Sequence, residues 1–527
     1  MRFRRFHYTK LVAQATGWSF TETYSRINRA KKNYGISFRD YYEKEFYARP
    51  ETTTERKALS LHRNRDEARL ELNEIAKARG VSPESMLEEK RKFCEEENVS
   101  LATYIKWRVY DLSESEKHEL ALKFNRQQAL KAELTYKIAV PDRNDIDFNA
   151  LYVDLEEYKA FIRTFITEEI FQDIETEIKQ VITDPELLEA DKLRAIAVDM
   201  EMTRYILGLS NKEFLMFRLW EKSFQDRMDY VPNSVHTGMM LHINGHELVD
   251  ICNEKFNTYQ TLKPFYNRDF VRYQNSDDIN EFKAFINKHD KAVFKPLTQT
   301  KGEGVRLVTF KDEVDVSSQN AIKLYAQKLY DEYGDYIFEE LIVANDEFKK
   351  LNPDAINTIR ALVYYDGNDV KIDGVLLRVG RKGSFVDNGA LGGILMNADA
   401  DTGIVITYGA DQAGHTYDTH PDTGFKLYGY QIPAWDKAKE MLDGAARMIG
   451  PGYIGWDITY DNNGEWVIVE ANGTPQLYGI QSTTGKGALP HFIETVGEKA
   501  LEGFVLETKK RADRAAAKAR NHGNGSK

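Results

Sequence analysis

Cysteine and long apolar runs are what this sequence has least of. Only Cys94 and Cys252 occur among 527 residues, too few for a disulfide framework or a four-cysteine zinc site, which favours a reducing compartment. No window approaches 18 consecutive apolar residues, so the sequence predicts no membrane-spanning helix. No apolar signal-peptide region follows the basic and aromatic residues 1–6. We therefore expect a cytoplasmic protein.

The balance of charge also excludes some classes of protein. The net charge is -11 with 29% charged residues, which argues against a surface that binds nucleic acid throughout. Hydrophobic residues make up 42% and aromatic residues 12%, enough for several buried cores. At about 150 residues per domain the length predicts three or four units. This composition suits an enzyme that holds anionic substrates in one cleft.

An internal repeat occupies the N-terminal part of the chain. A shift of 63 residues places one copy (about 17–56) on a second (about 80–119). The residues that match are Gly17 and Gly80, Ser19 and Ser82, Ser37 and Ser100, Tyr41 and Tyr104, and Tyr47 and Tyr110. The serines stand where helix caps are expected, so each copy predicts two short helices. Residues 1–135 are therefore predicted to be a duplicated all-α domain.

The charge of the two copies decides between two roles for this domain. The first copy carries a basic stretch at 26–32, which would suit a DNA-recognition helix, whereas the second carries five glutamates within 88–97. Tandem nucleic-acid modules are expected to keep one sign of charge. The pattern favours docking of a protein partner over nucleic-acid binding, and a solvated helix face stays an alternative.

Three further segments follow along the chain. Residues 136–235 have apolar residues at helical spacing and predict a helical bridge. Residues 236–505 alternate short β-branched runs, glycine turns and helices, which predicts an α+β domain. Residues 506–527 are basic with little apolar content and predict a disordered tail.

A hairpin late in the chain carries the strongest chemical signal. Residues 455–460 and 466–472 predict two strands joined by an Asp-Asn-Asn-Gly turn. Folding about that turn places Asp457 opposite Glu470 or its neighbour, and the two-residue period places Glu470 and Asn472 on one face. Two acids and an amide oxygen at one spot need a cation, and Mg²⁺ prefers such ligands. A solvent-facing hairpin edge with scattered acids is the alternative.

Two strand-and-loop elements suggest a nucleotide site. Lys295 ends a short strand before a loop with Gly302 and Gly304, where backbone N–H groups could approach phosphates. Residues 336–342 predict an apolar strand that carries Glu339 and Glu340 and could meet an adenine edge.

Other side chains could complete that site. Asp346 or Glu347 would reach the ribose hydroxyls. Arg360 and Arg378, on adjoining strands, could neutralise transferring phosphate oxygens as catalytic residues.

In this order the elements resemble the ATP-grasp superfamily, and most of all its sugar-transfer-associated branch. The resemblance covers about residues 240–500. The stretches that carry it are Asn-Glu-Lys-Phe at 253–256, Asn-Thr-Ile-Arg at 357–360, Leu-Arg-Val-Gly at 377–380, Val-Asp-Asn at 386–388, Gly-Gly at 392–393, His-Pro-Asp-Thr-Gly at 420–424 and Ile-Gly-Trp-Asp at 454–457. It implies two α+β subdomains that clasp ATP, preceded by the all-α region.

The resemblance implies a role for each matching residue. Lys255 and Lys295 would hold the α and β phosphates, and Gly302 and Gly304 would form the loop that closes over the triphosphate. Glu339 would take the adenine amine, with the backbone from Glu340 to Ile342 completing the adenine contacts. The metal ligands, for two Mg²⁺ ions, would be Asp457, Glu470 and Asn472.

The sequence departs from peptide-ligase relatives at one position. They often carry an arginine two residues before the metal aspartate, where this chain has Gly455. Arg360 or Arg378 would supply that charge. Asp387, Asn388, His420 and Gln481 are further candidates for contact with the substrate.

The function implied is that of an ATP-dependent carboxylate ligase. An acyl phosphate would form and then react with an amine, thiol or hydroxyl acceptor, with a sugar or surface-polysaccharide precursor as the substrate class. The alternatives are a phosphotransferase on the same fold and a nucleotide-binding scaffold whose helices dock a partner.

Overall fold

The computed structural model describes residues 80–82, 85, 114–163, 166, 168–274, 279–297, 304–354, 356–383, 393–411 and 415–521. The chain divides into two compact units. One comprises Met1–Glu133, Glu156–Ile174 and Asp513–Lys527, and the other comprises Leu134–Leu155 and Glu175–Ala512. Almost all of the predicted duplicated domain lies outside the described residues.

Helices precede the first strand, as the sequence predicts for residues 136–235. They are α1 (Glu114–Ile138), α2 (Phe148–Arg163), α3 (Glu168–Lys179), α4 (Ala190–Ile206), α5 (Asn211–Met216) and α6 (Phe224–Arg227), with 3₁₀ turns at Arg143–Asp145 and Leu219–Glu221. The short helices α5 and α6 each begin with a capping box. Ser210 pairs with Glu213, and Ser223 with Asp226, so that backbone N–H groups at both helix starts are satisfied.

No helix within the described ranges combines the length and apolar character that crossing a bilayer demands.

A small antiparallel sheet forms the first half of the α+β region. The elements are α7 (Asn233–Asn253), α8 (Lys255–Thr261), α9 (Lys263–Tyr266), β1 (Phe270–Tyr273), α10 (Ile279–Lys288), β2 (Lys291–Pro296), β3 (Arg306–Thr309), α11 (Phe310–Glu313), α12 (Gln319–Tyr333) and β4 (Tyr336–Glu340). The strand order is β1-β4-β2-β3. Phe282 of α10 packs on Phe338, which also contacts Phe294, so aromatic side chains fill the core between helices and sheet.

A larger antiparallel sheet forms the second half. Its elements are α13 (Asp346–Lys349), β5 (Thr358–Tyr365), β6 (Val370–Val379), β7 (Ile394–Ala398), β8 (Gly409–Ala410), β9 (Thr416–Tyr417), α14 (Trp435–Ile449), β10 (Gly452–Tyr460) and β11 (Trp466–Asn472). Within the described residues the strand order is β11-β10-β5-β6-β7-β8-β9. The face with Ile359 and Trp456 packs against α14 through Trp435, which leaves the opposite face to carry Arg360 and Asp457.

The C-terminal prediction needs a correction. After α15 (Tyr478–Thr484) and α16 (Leu489–Val496), helix α17 spans Glu498–Asn521, so most of the predicted disordered tail is helical. Val505, Thr508 and Ala512 are buried at helical spacing. The many charged residues of this segment predicted disorder, because they obscure a narrow stripe of small side chains that is buried on one face of the helix. Residues 522–527 lie outside the described residues.

We predict that an ion pair between α16 and β6 makes the stability of the fold depend on pH. The carboxylate of Asp373 accepts hydrogen bonds from the hydroxyl of Tyr453 at 2.6 Å and lies 3.1 Å from Nε2 of His491. The hydrogen bond to Asp373 raises the pKa of His491 to about 9. The stabilisation is therefore complete below the ordinary histidine pKa of about 6.5 and is lost as the pH rises through 9.

Melting temperatures of the wild type and of His491→Gln between pH 6 and 10 measure this effect. Because the imidazole is 62% exposed, we expect the free energies of unfolding of the two proteins to differ by at most about 1 kcal/mol at pH 6. The two curves should converge above pH 9. A difference that grows with pH would contradict the assignment.

Candidate functional site

Three charged side chains form a row across one face of the large sheet. Glu470 of β11 lies directly opposite Asp457 of β10, and Asp457 lies opposite Arg360 of β5. Opposite residues of antiparallel strands project from the same face. Asn472 lies opposite Gly455 and belongs to that face too. The predicted hairpin register is confirmed.

Two arginines hold the carboxylate of Asp457, which is 6% exposed. Arg360 donates from Nη2 to Oδ2 at 2.8 Å and from Nε to Oδ1, and Arg378 donates to Oδ1 at 2.9 Å. Burial raises the pKa of Asp457, but the attraction of the two guanidinium groups outweighs it and leaves the pKa below its ordinary value. The carboxylate is therefore ionised at neutral pH.

The oxygen atoms of this face fit a magnesium ion. The side chain of Glu470 is exposed and forms no hydrogen bond or ion pair with another described residue, although its backbone belongs to the β10–β11 ladder. The Oδ1 atom of Asn472 accepts one hydrogen bond, from the N–H of Thr474 at 2.9 Å. A carboxylate offers about four lone-pair sites, and the arginines occupy three of those of Asp457, leaving one on Oδ2. Binding of Mg²⁺ by this set stays a prediction.

The missing arginine at position 455 has a structural counterpart. A side chain at Gly455 would meet Cδ of Arg360 at 3.1 Å and Cβ of Pro475 at 2.6 Å. Arg360 therefore reaches Asp457 from β5 through the space that a residue at 455 would fill. The expectation that Arg360 or Arg378 supplies the charge agrees with this geometry, since both contact Asp457.

A narrow cleft brings the predicted lysines beside strand β11. Lys255, Lys295, Glu339 and Glu470 all line it, together with apolar side chains that include Phe270. Phe270, Lys295 and Glu339 belong to the small sheet and Glu470 belongs to the large sheet, so the cleft lies where both sheets meet. Groups predicted to hold phosphates and metal from distant sequence positions therefore share one space.

Glu339 is held inside this cleft by two cations. It is 3% exposed; its Oε1 accepts from Nε of Arg268 at 2.7 Å, and its Oε2 accepts from Lys295. Burial raises the pKa of Glu339, but the attraction of Arg268 and Lys295 outweighs it and lowers the pKa overall. Contact between Glu339 and the adenine amine stays a prediction, and both of its carboxylate oxygens have protein partners.

Arg268 is a site residue that the sequence did not reveal. It also donates to the carbonyl oxygen of Ile468 at 2.6 Å and lies 3.4 Å from that of Val469. The register of β11 shifts here, because Asp457 pairs with Glu470 while the next residue pairs with Ile468. The resulting bulge leaves carbonyl groups available to the arginine. These partners lie about 200 positions away, beyond the reach of local patterns.

The segment after Glu339 carries the other predicted adenine contacts. Oε2 of Glu340 accepts from the N–H of Asp269 at 2.9 Å, which fixes the position of that side chain. Ile342 is half-buried. The backbone from Glu340 to Ile342 stays the predicted adenine edge.

The predicted ribose residues lie on the surface at α13. Asp346 pairs with Lys349 at 2.9 Å, and Glu347 pairs with Lys350 at 2.7 Å, each three residues later on the helix. Both carboxylates are exposed, so a ribose contact would replace a surface ion pair. That contact stays a prediction.

Two substrate candidates are fully buried, and their contact with a substrate stays a prediction. His420 is fully buried; its Nε2 bonds the carbonyl of Gly380 at 2.9 Å, and its Nδ1 lies 3.3 Å from N–H groups of the following turn. Gln481 is also fully buried and bonds the backbone of Val231 and Ala488. Both side chains stabilise loops, because backbone groups use their hydrogen-bonding capacity.

Several predicted residues cannot be placed. Gly302, Asp387 and Asn388 lie outside the described residues. Gly304 has a φ of 74°, a left-handed conformation that favours glycine, at the end of the predicted phosphate loop.

The comparison with protein families agrees with this geometry. Residues 236–497 match the family model described as sugar-transfer associated ATP-grasp. This span is an ATP-grasp domain. It contains the cleft, both sheets and the hairpin. No curated protein sequence matches the chain.

Solved structures that are similar to the chain include ATP-grasp enzymes at low identity. The ATP-grasp ligase PsnB with its minimal precursor has 13% identity and a TM-score of 0.30 over 50% of this chain and 63% of that one. The D-alanine-D-alanine ligase from Coxiella burnetii has 10% identity and a TM-score of 0.28, and the match covers 50% of this chain and 59% of that one. D-alanyl-alanine synthetase A from Vibrio cholerae O1 biovar eltor has 13% identity and a TM-score of 0.31. The match covers 51% of this chain and 68% of that one.

We predict that Arg268 stabilises the ATP-grasp domain by neutralising Glu339. Arg268→Met leaves a buried carboxylate with one cation, and removing one partner of a buried pair costs about 3–5 kcal/mol. Urea unfolding measures the loss. The double variant Arg268→Met/Glu339→Gln should recover part of it. As a control, Arg447→Met removes an exposed arginine that pairs with Asp443, donates to the carbonyl oxygen of Asn368 and lies over the ring of Tyr365, and it should cost less than about 1 kcal/mol because no buried charge is left unpaired. Equal losses for both single variants would contradict the role of Arg268.

Proposed function

We propose that the ATP-grasp domain is an ATP-dependent ligase that activates a carboxylate. The observation that carries this proposal is the shared cleft, in which Lys255 and Lys295 lie beside Glu470. Two cations suit the phosphates of a nucleotide, and carboxylate and amide oxygens suit Mg²⁺. The bound ion would draw charge from the phosphate oxygens when the nucleotide is held.

The chemistry follows from what the chain provides. An oxygen of the substrate carboxylate attacks the γ-phosphorus in line, the bond to the β-phosphate oxygen breaks, and ADP leaves. An amine, thiol or hydroxyl then attacks the acyl carbon and loses its proton as phosphate departs. Arg360 and Arg378 face the same side of the sheet as Glu470 and stabilise the charge on the transferring group. No covalent protein nucleophile is required.

The substrate class is the finer part of the proposal. The family description, sugar-transfer associated, supports a sugar or surface-polysaccharide precursor as one of the two substrates. The enzyme would act in the cytoplasm, and the N-terminal region would dock a protein partner.

A trapping assay tests the reaction type. The protein is incubated with Mg²⁺, ATP, hydroxylamine and a panel of carboxylic acids that includes uronic and amino acids. A ligase that forms an acyl phosphate yields a hydroxamate, ADP and phosphate, and the productive acid identifies the donor. ADP with a phosphorylated acceptor and no hydroxamate would instead identify a phosphotransferase.

We predict that Glu470→Gln abolishes ATP turnover while the protein stays folded. Loss of one stabilising group at a charged transition state lowers kcat by at least about a hundredfold. Because Glu470 is exposed, unfolding free energy should change by less than about 0.5 kcal/mol. The control Glu465→Gln alters an exposed glutamate of the same hairpin and should keep full turnover. Normal ATP consumption by Glu470→Gln would count against the metal site.

A further inference from the structure

Helix α7 directs a polar side chain at the point where β11 leaves the sheet. Oδ1 of Asn244 accepts from the N–H of Tyr453 at 2.7 Å, and its Nδ2 donates to the carbonyl oxygens of Tyr453 at 2.8 Å and Gly473 at 2.7 Å. The pairing of β10 with β11 ends at Asn472, opposite Gly455. The amide of Asn244 therefore takes the place of a neighbouring strand for Tyr453 and holds the departing chain.

A second side chain of the same helix holds the next part of that chain. Nε2 of His236 lies 2.7 Å from the carbonyl oxygen of Pro475, and the imidazole is 4% exposed. Burial lowers the pKa of His236, so the neutral ring donates its Nε2–H to this carbonyl. Nothing in the proposed chemistry uses either His236 or Asn244.

The segment held in this way, residues 473–475, contacts the site at both ends. The N–H of Thr474 donates to Oδ1 of Asn472, the predicted metal ligand. Pro475 lies over Gly455, in the space that Arg360 shares. A side chain at Gly473 would meet Cα of Val249 at 2.8 Å, so α7 also packs closely against this segment.

We propose that His236 and Asn244 are positioning residues for the metal site, acting through residues 473–475. By fixing the carbonyl groups of Gly473 and Pro475, they set the N–H of Thr474, which orients Oδ1 of Asn472 toward the ion. Outer partners that orient metal ligands typically affect metal affinity by about 10–100-fold. This inference rests on the proposed function, since it assumes that Asn472 binds the ion.

Manganese binding tests the proposal without any catalytic turnover. Mn²⁺ replaces Mg²⁺, its binding to the protein with ADP is followed by electron paramagnetic resonance, and ADP affinity without metal is measured separately. We expect His236→Leu and Asn244→Asp to weaken Mn²⁺ binding by about 10-fold or more. ADP binding without metal should stay within about twofold of the wild type, because the lysines of the cleft are unchanged.

A conservative variant and a matched control separate positioning from general destabilisation. His236→Gln keeps an N–H donor near the position of Nε2 and should restore most of the Mn²⁺ affinity. His242 lies on the same helix but faces Glu502 at 3.4 Å, so His242→Leu should bind Mn²⁺ as the wild type does. Amide exchange at Thr474 in the metal-free protein should accelerate in His236→Leu and not in His236→Gln.

The outcomes that overturn the proposal are distinct. Unchanged Mn²⁺ affinity in His236→Leu and Asn244→Asp would show that residues 473–475 need no support from α7. Equal losses in His236→Gln and His236→Leu would show that the hydrogen bond to Pro475 is irrelevant. If the wild type with ADP does not bind Mn²⁺, the metal site itself fails, and the proposed function fails with it.

Discussion

The buried carboxylate of Asp457 is the constraint on which the candidate site depends. A carboxylate at this depth needs compensating charge, and Arg360 and Arg378 provide it from two neighbouring strands. With Glu470 beside them on the same face, the four groups are neutral as a set. An arriving cation would add positive charge to this balanced set, and the phosphates of a nucleotide would offset it. The electrostatics thus favour joint binding of metal and nucleotide over binding of either alone.

A second buried carboxylate connects the two sheets. Glu339 belongs to β4 of the small sheet, whereas Arg268, which neutralises it, also bonds the bulge of β11 in the large sheet. Lys295 is the second cation that pairs with Glu339. If Lys295 moves to a phosphate, Arg268 still compensates the buried charge of Glu339. Loss of the ion pair between Lys295 and Glu339 therefore costs less free energy than breaking an isolated buried ion pair. The same arginine connects the small sheet to strand β11.

The sequence predicted contacts between residues that are close along the chain and missed contacts between residues that are far apart. The hairpin of Asp457 and Glu470 followed from a local turn and a two-residue period, and the structure has that register. The contacts of Arg268 and Asn244 join residues 71 to 229 positions apart, and no local pattern encodes them. The surroundings of His420 illustrate the same limit of local patterns. Its residue type suggested chemistry, but only the folded backbone shows that both ring nitrogens are already used.

At position 455 this chain has a glycine where peptide-ligase relatives often have an arginine. The positive charge beside Asp457 comes instead from Arg360 on a neighbouring strand. Arg360 approaches Asp457 from β5, and two of its N–H groups bond that carboxylate. A guanidinium group has five N–H donors, so three remain for a phosphate oxygen or a substrate carboxylate. An arginine on β10 itself would need the space that Pro475 now fills. The position of Arg360 is therefore coupled to the segment after β11, and a shift of that segment would disturb Arg360 and Asn472 together.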